Sequence, residues 1–138
     1  MRHRWLFLLS IPLATAHAQW GPDVKLSTNE GSAGLNENMG RCLIAATDAV
    51  HVVWCDFTNN GQAIYYKRSL DRGLTWGVDT RISPSPGADS FPLLAQSGSN
   101  LHLAFLRSNS TAQAASYYRR SRDGGSTWDA EVFLGTTK

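Results

Sequence analysis

The chain has 138 residues, with 13 Lys and Arg against 11 Asp and Glu. Setting aside Arg2 and Arg4 at the N-terminus leaves 11 of each sign, and no run of basic residues stands out. The length fits a single domain. The balanced charge argues against nucleic acid or an anionic membrane surface as a partner.

Residues 1–18 have the build of a secretory signal peptide. Arg2 and Arg4 precede a mostly apolar stretch from Trp5 to Ala14, and Ala16-His17-Ala18 matches the small-residue cleavage pattern. The apolar stretch is too short to span a bilayer. We therefore expect cleavage near Ala18 and a secreted, periplasmic or extracellular protein. The alternative interpretation is an N-terminal hydrophobic strand.

The next segment, residues 19–40, contains an echo of a later one. Trp20-Gly-Pro-Asp-Val-Lys-Leu-Ser27 resembles Trp76-Gly-Val-Asp-Thr-Arg-Ile-Ser83, with Trp and Ser equally spaced. The echo predicts an outer strand followed by a linker, without the other strands of its own unit.

Two longer stretches, residues 41–83 and 84–138, align with each other. In each, four short runs rich in β-branched and aromatic residues are separated by Gly, Asn, Ser, Asp and Pro, which is typical of strands and turns. The predicted strands are 43–46, 50–54, 64–69 and 80–83, matched by 93–96, 101–105, 116–121 and 131–134. No helical period is sustained. The sequence predicts an all-β protein with two four-stranded repeats. The repeated His51 and His102 are more simply packing or hydrogen-bonding residues than ligands.

The two cysteines, Cys42 and Cys55, flank the first predicted hairpin. If Asp48 and Ala49 form a two-residue turn, positions whose numbers sum to 97 lie opposite each other, and the cysteines are such a pair. A disulfide then fits the geometry and an oxidising compartment. A register slip of one residue would instead leave two free thiols. Two thiols without a nearby His pair do not predict zinc, and no motif implies an organic cofactor.

One eight-residue phrase, Ser-x-Asp-x-Gly-x-Thr-Trp, occurs in both repeats, starting at Ser69 and at Ser121. Its fixed positions are Ser69, Asp71, Gly73, Thr75 and Trp76, then Ser121, Asp123, Gly125, Thr127 and Trp128. An Asp in a turn accepts bonds from backbone N–H groups, and Gly supplies a positive φ. The Trp buries a large ring. These roles indicate a structural turn.

The phrase resembles the Asp-box, or BNR repeat, of the sialidase-like β-propellers. The resemblance implies that residues 41–83 and 84–138 are two four-stranded antiparallel blades of a six-bladed or larger propeller. The N-terminal echo is then one orphan strand. The missing blades would come from the same chain or from additional subunits; a complete small protein is the other interpretation. In this family the box joins the third and fourth strands at the periphery, away from the substrate face, and several member families are not glycosidases.

Active sialidases combine three arginines, a Tyr nucleophile with its Glu, and an Asp acid/base. The first arginine belongs to an Arg-Ile-Pro motif that opens the first blade; here Arg41 is one position away from it. The nearest acid to the expected acid/base position is Asp56, which is more simply interpreted as a turn residue that ends the preceding strand. The resemblance therefore offers Arg41 and Asp56 as catalytic candidates and leaves the other catalytic residues unknown. Asp89 and Arg107 lie where a substrate face would form, but match no family motif.

These observations predict an exported Asp-box propeller that binds carbohydrate or protein, or serves as a scaffold, without a complete catalytic site. The alternative is the N-terminal part of an exo-α-sialidase or a related glycoside hydrolase. A structural adhesion or surface-layer component is a third hypothesis, which export and repeats alone suggest.

Overall fold

The computed structural model describes residues 22–28, 32–34, 41–58, 61–84, 88–108 and 113–136. The expected signal peptide lies outside these residues. Every regular element that they form is a β-strand, so the all-β prediction is confirmed. None of them belongs to a helix with the length and apolarity that crossing a membrane requires.

The described residues form nine strands, and each of the eight strands predicted in the two repeats has a counterpart among them. They are β1 Ser32–Gly34, β2 Leu43–Ala46, β3 Ala49–Thr58, β4 Gly61–Ser69, β5 Thr80–Arg81, β6 Ala88–Ser97, β7 Asn100–Ser108, β8 Ala114–Ser121 and β9 Val132–Thr136. The described part of the predicted N-terminal strand, residues 22–28, has no strand assignment.

The strands pair as two antiparallel units that follow the two sequence repeats. Within the first repeat β3 pairs with β2 and β4, and β4 pairs with β5; the second repeat runs β6-β7-β8-β9. The short β1 pairs with the far half of β3. A single parallel bridge, Gln62 to Ala88, joins the units into one open mixed sheet. Over the described residues this sheet does not close on itself.

The core lies between the two repeats. The strand β3 is buried on both faces: Val53 and Cys55 on one side and Val52 and Trp54 on the other are all buried, as is typical of a strand between two layers. The core cluster takes residues from both repeats: Cys42, Val53, Cys55, Ile64, Tyr66 and Ile82, with Leu94, Leu101, Leu103 and Phe105.

The predicted register of the first hairpin is wrong by one turn position. Leu43 lies opposite Val52 and Ala46 opposite Ala49, so the turn residues are Thr47 and Asp48. Arg72 fixes this turn, because its N–H donates to the Asp48 carbonyl at 2.8 Å and its Nε to the Asp48 carboxylate at 2.7 Å. Thr47 accordingly has a positive φ of 43°.

This register separates the two cysteines, and both are free buried thiols. The Val53 N–H donates to the Cys42 carbonyl at 2.9 Å, which places Val53 opposite Cys42 and Cys55 diagonal to it. Diagonal neighbours are about 7–8 Å apart, beyond the usual span of a disulfide. The Cys55 thiol donates instead to the Asp89 carbonyl at 3.2 Å, and burial raises the pKa of both thiols. The predicted disulfide is absent from this structure.

Residues 22–28 contact the first repeat much as residues 76–83 contact the second. The Lys67 ammonium donates to the Leu26 carbonyl at 2.6 Å, and the Arg119 guanidinium donates to the Ile82 carbonyl. Leu26 and Ile82 occupy the same place in the sequence echo, and Lys67 and Arg119 the same place in the repeats. The segment therefore stands where the outer segment of a preceding repeat would stand.

The contact between the repeats requires glycine at one position and tolerates other residues at its neighbour. Gly125 has a φ of +83°, and an added Cβ would overlap the Tyr66 hydroxyl; Gly124 has a φ of +63° and open space around it. We expect Gly125→Ala to lower the free energy of unfolding by about 2–4 kcal/mol, from backbone strain plus overpacking. Gly124→Ala, the matched control, should lose about 1 kcal/mol. Urea unfolding measures both; equal losses would contradict the role given to Tyr66.

Candidate functional site

The first box turn uses every oxygen of its acidic side chain internally. Asp71 Oδ1 accepts from the Ser69 hydroxyl at 2.7 Å and from the Thr75 N–H at 2.8 Å, and Oδ2 accepts from the Thr75 hydroxyl at 2.5 Å. The Ser69 Oγ accepts in turn from the Gly73 N–H at 2.7 Å. Gly73 has the positive φ that the sequence predicts, +90°.

The second box turn repeats this network. Asp123 Oδ1 accepts from the Ser121 hydroxyl at 2.8 Å and from the Thr127 N–H at 2.9 Å, and Oδ2 from the Thr127 hydroxyl at 2.6 Å. The Gly125 N–H donates to the Ser121 Oγ at 2.7 Å. Both turns join the third and fourth strands of their repeats, which explains why one phrase serves both.

These bonds make the box carboxylates poor proton donors. The Thr75 hydroxyl and N–H and the Ser69 hydroxyl hold the pKa of Asp71 down at about 2. Donors from Thr127 and Ser121 lower the pKa of Asp123 in the same way. A general acid needs a pKa near the working pH, so neither group suits that role.

The repeated His and Tyr residues form two equivalent stacked pairs. The Nδ1 of His51 lies 2.8 Å from the Tyr66 hydroxyl, and that of His102 lies 2.7 Å from the Tyr118 hydroxyl. The prediction of packing and hydrogen-bonding roles is confirmed. Burial raises the pKa of Tyr66 far above its ordinary value and lowers that of His51, with Arg68 adding to the second effect. Tyr66 is thus a core residue that stays protonated.

The two candidate catalytic residues lie in opposite environments. Arg41 is exposed just before β2 and borders two surface cavities of about 390 and 310 Å³. Asp56 is fully buried in β3, opposite Ala33 and Ala63. Arg41 is therefore accessible from solvent, whereas Asp56 belongs to the interior.

A polar cluster that the sequence did not predict ties the second repeat together. The Arg107 Nε donates to Asp89 Oδ1 at 2.6 Å, and its Nη1 and Nη2 donate to the two Glu131 oxygens at 2.9 and 3.0 Å. The guanidinium also stacks 4.4 Å from the centre of the Tyr117 ring. The bonds from Glu131 and Asp89 raise the pKa of Arg107 against the opposing effect of burial.

The contact between Asp89 and Arg107 depends on a β-bulge in β6 that the sequence pattern did not predict. Near the β6–β7 turn the partners sum to 197, as in Leu93 with Ala104, which would place Asp89 opposite Ser108. The register shifts between Ser90 and Leu93, where Phe91 takes a positive φ of 54°, and this brings Asp89 opposite Arg107. Sequence alone identified both charges but not their contact.

This cluster is better suited to structure than to acid/base chemistry. Asp89 and Glu131 are bound by the same guanidinium and so share one environment, whereas a proton donor and a proton acceptor need two different environments. Across the ranges that the structure describes, no group of three or more His, Cys, Asp or Glu side chains is placed to hold a metal ion.

No family model matches the chain, and neither a curated protein nor a solved structure shows significant similarity to it. The resemblance to a known family therefore rests on the two box phrases in the sequence.

Removing the Arg107 guanidinium should be strongly destabilising. Arg107→Met leaves the Asp89 carboxylate, which is 0% exposed, without its charge partner. Breaking a buried pair in this way typically costs about 3–5 kcal/mol. The control Arg72→Met breaks a pair with Asp48 that is 75% and 58% exposed, where about 1 kcal/mol or less is expected. Similar losses in chemical denaturation would show that the cluster is not a buried structural tie.

The depressed carboxylate pKa values predict acid sensitivity. Asp71 shifts from 3.8 to about 2, so its stabilising effect is complete above pH 4 and is lost as the pH falls through about 2. Asp123 acts in the same direction. We expect the thermal midpoint to fall between pH 5 and pH 2, and the double variant Asp71→Asn, Asp123→Asn to start several degrees lower with a flatter slope. Asp23→Asn, at an exposed carboxylate, should keep the full slope; an unchanged slope in the double variant would contradict the assignment.

Proposed function

We propose that the chain forms two blades and one outer strand segment of an exported, sialidase-like Asp-box β-propeller. Its role would be that of a carbohydrate- or protein-binding or scaffold module. The observation that carries this proposal is the internal use of both box carboxylates, Asp71 and Asp123, in identical turns. Residues bonded in this way hold a repeat together and are unavailable to a substrate.

The packing of the repeats supports the propeller. Both repeats contribute to one apolar core, and residues 22–28 contact the first repeat as an outer segment of a preceding one would. A sheet of this kind closes into a ring only with further repeats. These would come from the same chain or from additional subunits.

The residues around the candidate positions support binding over catalysis. Asp56 is buried, and the Asp89 and Glu131 carboxylates are bound by Arg107. The described residues that border the two cavities beside Arg41 include no Asp or Glu. A binding module needs only the arginine.

One observation favours the alternative, the N-terminal part of an exo-α-sialidase or related glycoside hydrolase. Arg41 is exposed at the opening strand of the first repeat, beside two cavities. A guanidinium there suits the bidentate binding of a sugar carboxylate.

Glycan binding and turnover by the full chain separate the two proposals. We expect binding to carboxylated glycans without hydrolysis of a fluorogenic sialoside, and an affinity loss of about tenfold or more in Arg41→Ala, since a charge-assisted contact is lost. Lys25→Ala removes an exposed positive charge outside both cavities and should bind normally. Turnover that Arg41→Ala abolishes would establish the glycosidase, and absence of any glycan binding would leave the protein-binding or scaffold role.

A further inference from the structure

Each repeat has an equivalent sheet face, which is buried in the first repeat and partly exposed in the second. In the first repeat this face carries His51, Val53, Cys55 and Tyr66, each 2% exposed or less. The equivalent face of the second repeat, called the outer face below, is formed by His102, Ala104, Leu106, Tyr118 and Arg120, all partly exposed. The outermost segments differ in the same way: Ile82 is 1% exposed, whereas Phe133 and Leu134 in β9 are 57% and 58% exposed.

The second repeat covers the face of the first through its box turn. The Gly124 carbonyl accepts from the Tyr66 hydroxyl at 3.4 Å and from the Arg68 Nη1 at 2.7 Å. Arg68 also donates to the Ser126 hydroxyl at 2.9 Å. The Trp128 ring meets the Tyr66 ring edge-on, with centroids 5.4 Å apart. The chemistry that recognises this face is therefore visible in the chain itself.

The outer face carries the same recognition groups without that cover. His102 and Tyr118 repeat the stacked, hydrogen-bonded pair, with centroids 6.1 Å apart against 6.0 Å in the first repeat. Arg120 occupies the place of Arg68. The cavity of about 310 Å³ beside Arg41 lies on this face and is also bordered by Leu93, His102 and Tyr118, so an occupant of the outer face leaves the 390 Å³ cavity for the binding proposed at Arg41.

We infer that the outer face is a docking surface for a third repeat of the Ser-x-Asp-x-Gly-x-Thr-Trp type, whose box turn contacts Tyr118 and Arg120. The incoming turn presents a backbone carbonyl and a glycine, as Gly124 and Gly125 do to Tyr66 and Arg68. This inference rests on the propeller-type packing proposed above. It identifies the outer face as the uncovered surface, and Tyr118 and Arg120 as the side chains that bind the incoming turn.

A second copy of the chain does not fit as the occupant. Its second box turn is already seated on its own Tyr66. Its first box turn places Leu74 where Ser126 accepts from Arg68, so Arg120 would meet an apolar side chain. A repeat with small or polar residues at these positions, in the manner of residues 124–126, satisfies the surface.

The groups on the outer face can make the required contacts without breaking a strong interaction. Arg120 is paired with Asp129 at 3.2 Å, and the side chains are 37% and 44% exposed. Exposed pairs of this kind contribute little, so the guanidinium is able to turn towards an incoming carbonyl. Tyr118 can keep its hydrogen bond with His102 while its hydroxyl donates to an incoming carbonyl, as the Tyr66 hydroxyl donates to the Gly124 carbonyl.

The test extends the full chain by one additional repeat that can dock on the outer face. A second copy of residues 84–136 is appended after Lys138, and thermal unfolding and limited proteolysis are compared with those of the original chain. We expect the midpoint to rise by about 5 °C and the appended residues to resist proteolysis, because docking buries the outer face. Tyr118→Phe in the extended chain should lose part of this gain, while the same change in the original chain should have little effect.

Two further variants keep the result interpretable. Changing the appended glycine that corresponds to Gly125 to Ala should remove the gain, whereas the same change at the position of Gly124, which adds backbone strain but no overlap, should remove less of it. A folded but undocked appended repeat, or one that stays unfolded beside the outer face, would overturn the inference. Concentration-dependent self-association of the original chain that Tyr118→Phe weakens would also overturn it, in favour of a second copy. None of these outcomes depends on glycan binding, so failure here is distinguishable from failure of the proposed function.

Discussion

The fit of the second box turn against Tyr66 is the contact on which the association of the two repeats depends. Tyr66 is 2% exposed, and a buried hydroxyl must have hydrogen-bond partners. It finds them in His51 within its own repeat and in the Gly124 carbonyl of the next. Gly125, the next residue in this turn, lies so close to the Tyr66 side chain that only glycine fits. One side chain thus links the core of a repeat to the turn of its neighbour.

Buried charges fix how the elements lie relative to one another. Lys67 is paired with Asp79 at 2.6 Å, with both side chains 6% exposed, and Arg107 holds Asp89 and Glu131. Buried pairs of this kind give little net stability, because desolvation offsets their attraction, but a wrong arrangement would leave a charge unpaired. They therefore favour one register of outer segment and strand over its alternatives. The apolar core supplies the stabilisation, and the charges determine the arrangement.

Local features of the fold were predictable from sequence, and features set by distant contacts were not. Strands with a clear apolar pattern, such as β7, and the turns built on Asp71 and Asp123 follow from residues close together in the chain. The predicted turn of the first hairpin was displaced by one residue; in the structure Asp48 lies in the turn, and its carbonyl accepts from the Arg72 N–H, 24 residues away in the chain.

The candidate site shows the same division. Arg41 was identified from its place in the chain, and its exposure suits a binding role. The contact between Asp89 and Arg107 required a bulge at Phe91, whose positive φ no local pattern indicated. Asp56 corresponds to Arg107 in the second repeat, so the repeat pattern does not predict a buried side chain at this position. Its burial is apparent only in the structure, where β1 pairs with β3 and Ala33 lies opposite Asp56.

The two box phrases also explain how one turn can serve different surroundings. Their fixed residues make the same internal bonds in both repeats, so the turn keeps its shape although the residues between them differ. Those positions face outward and differ: Leu70 and Leu74 are 65% and 84% exposed in the first turn, where the second has Arg122 and Ser126. In the second turn Ser126 accepts a bond from Arg68 of the neighbouring repeat, which Leu74 cannot do. The phrase therefore sets the shape of each turn, while its variable residues determine which neighbour that turn accepts.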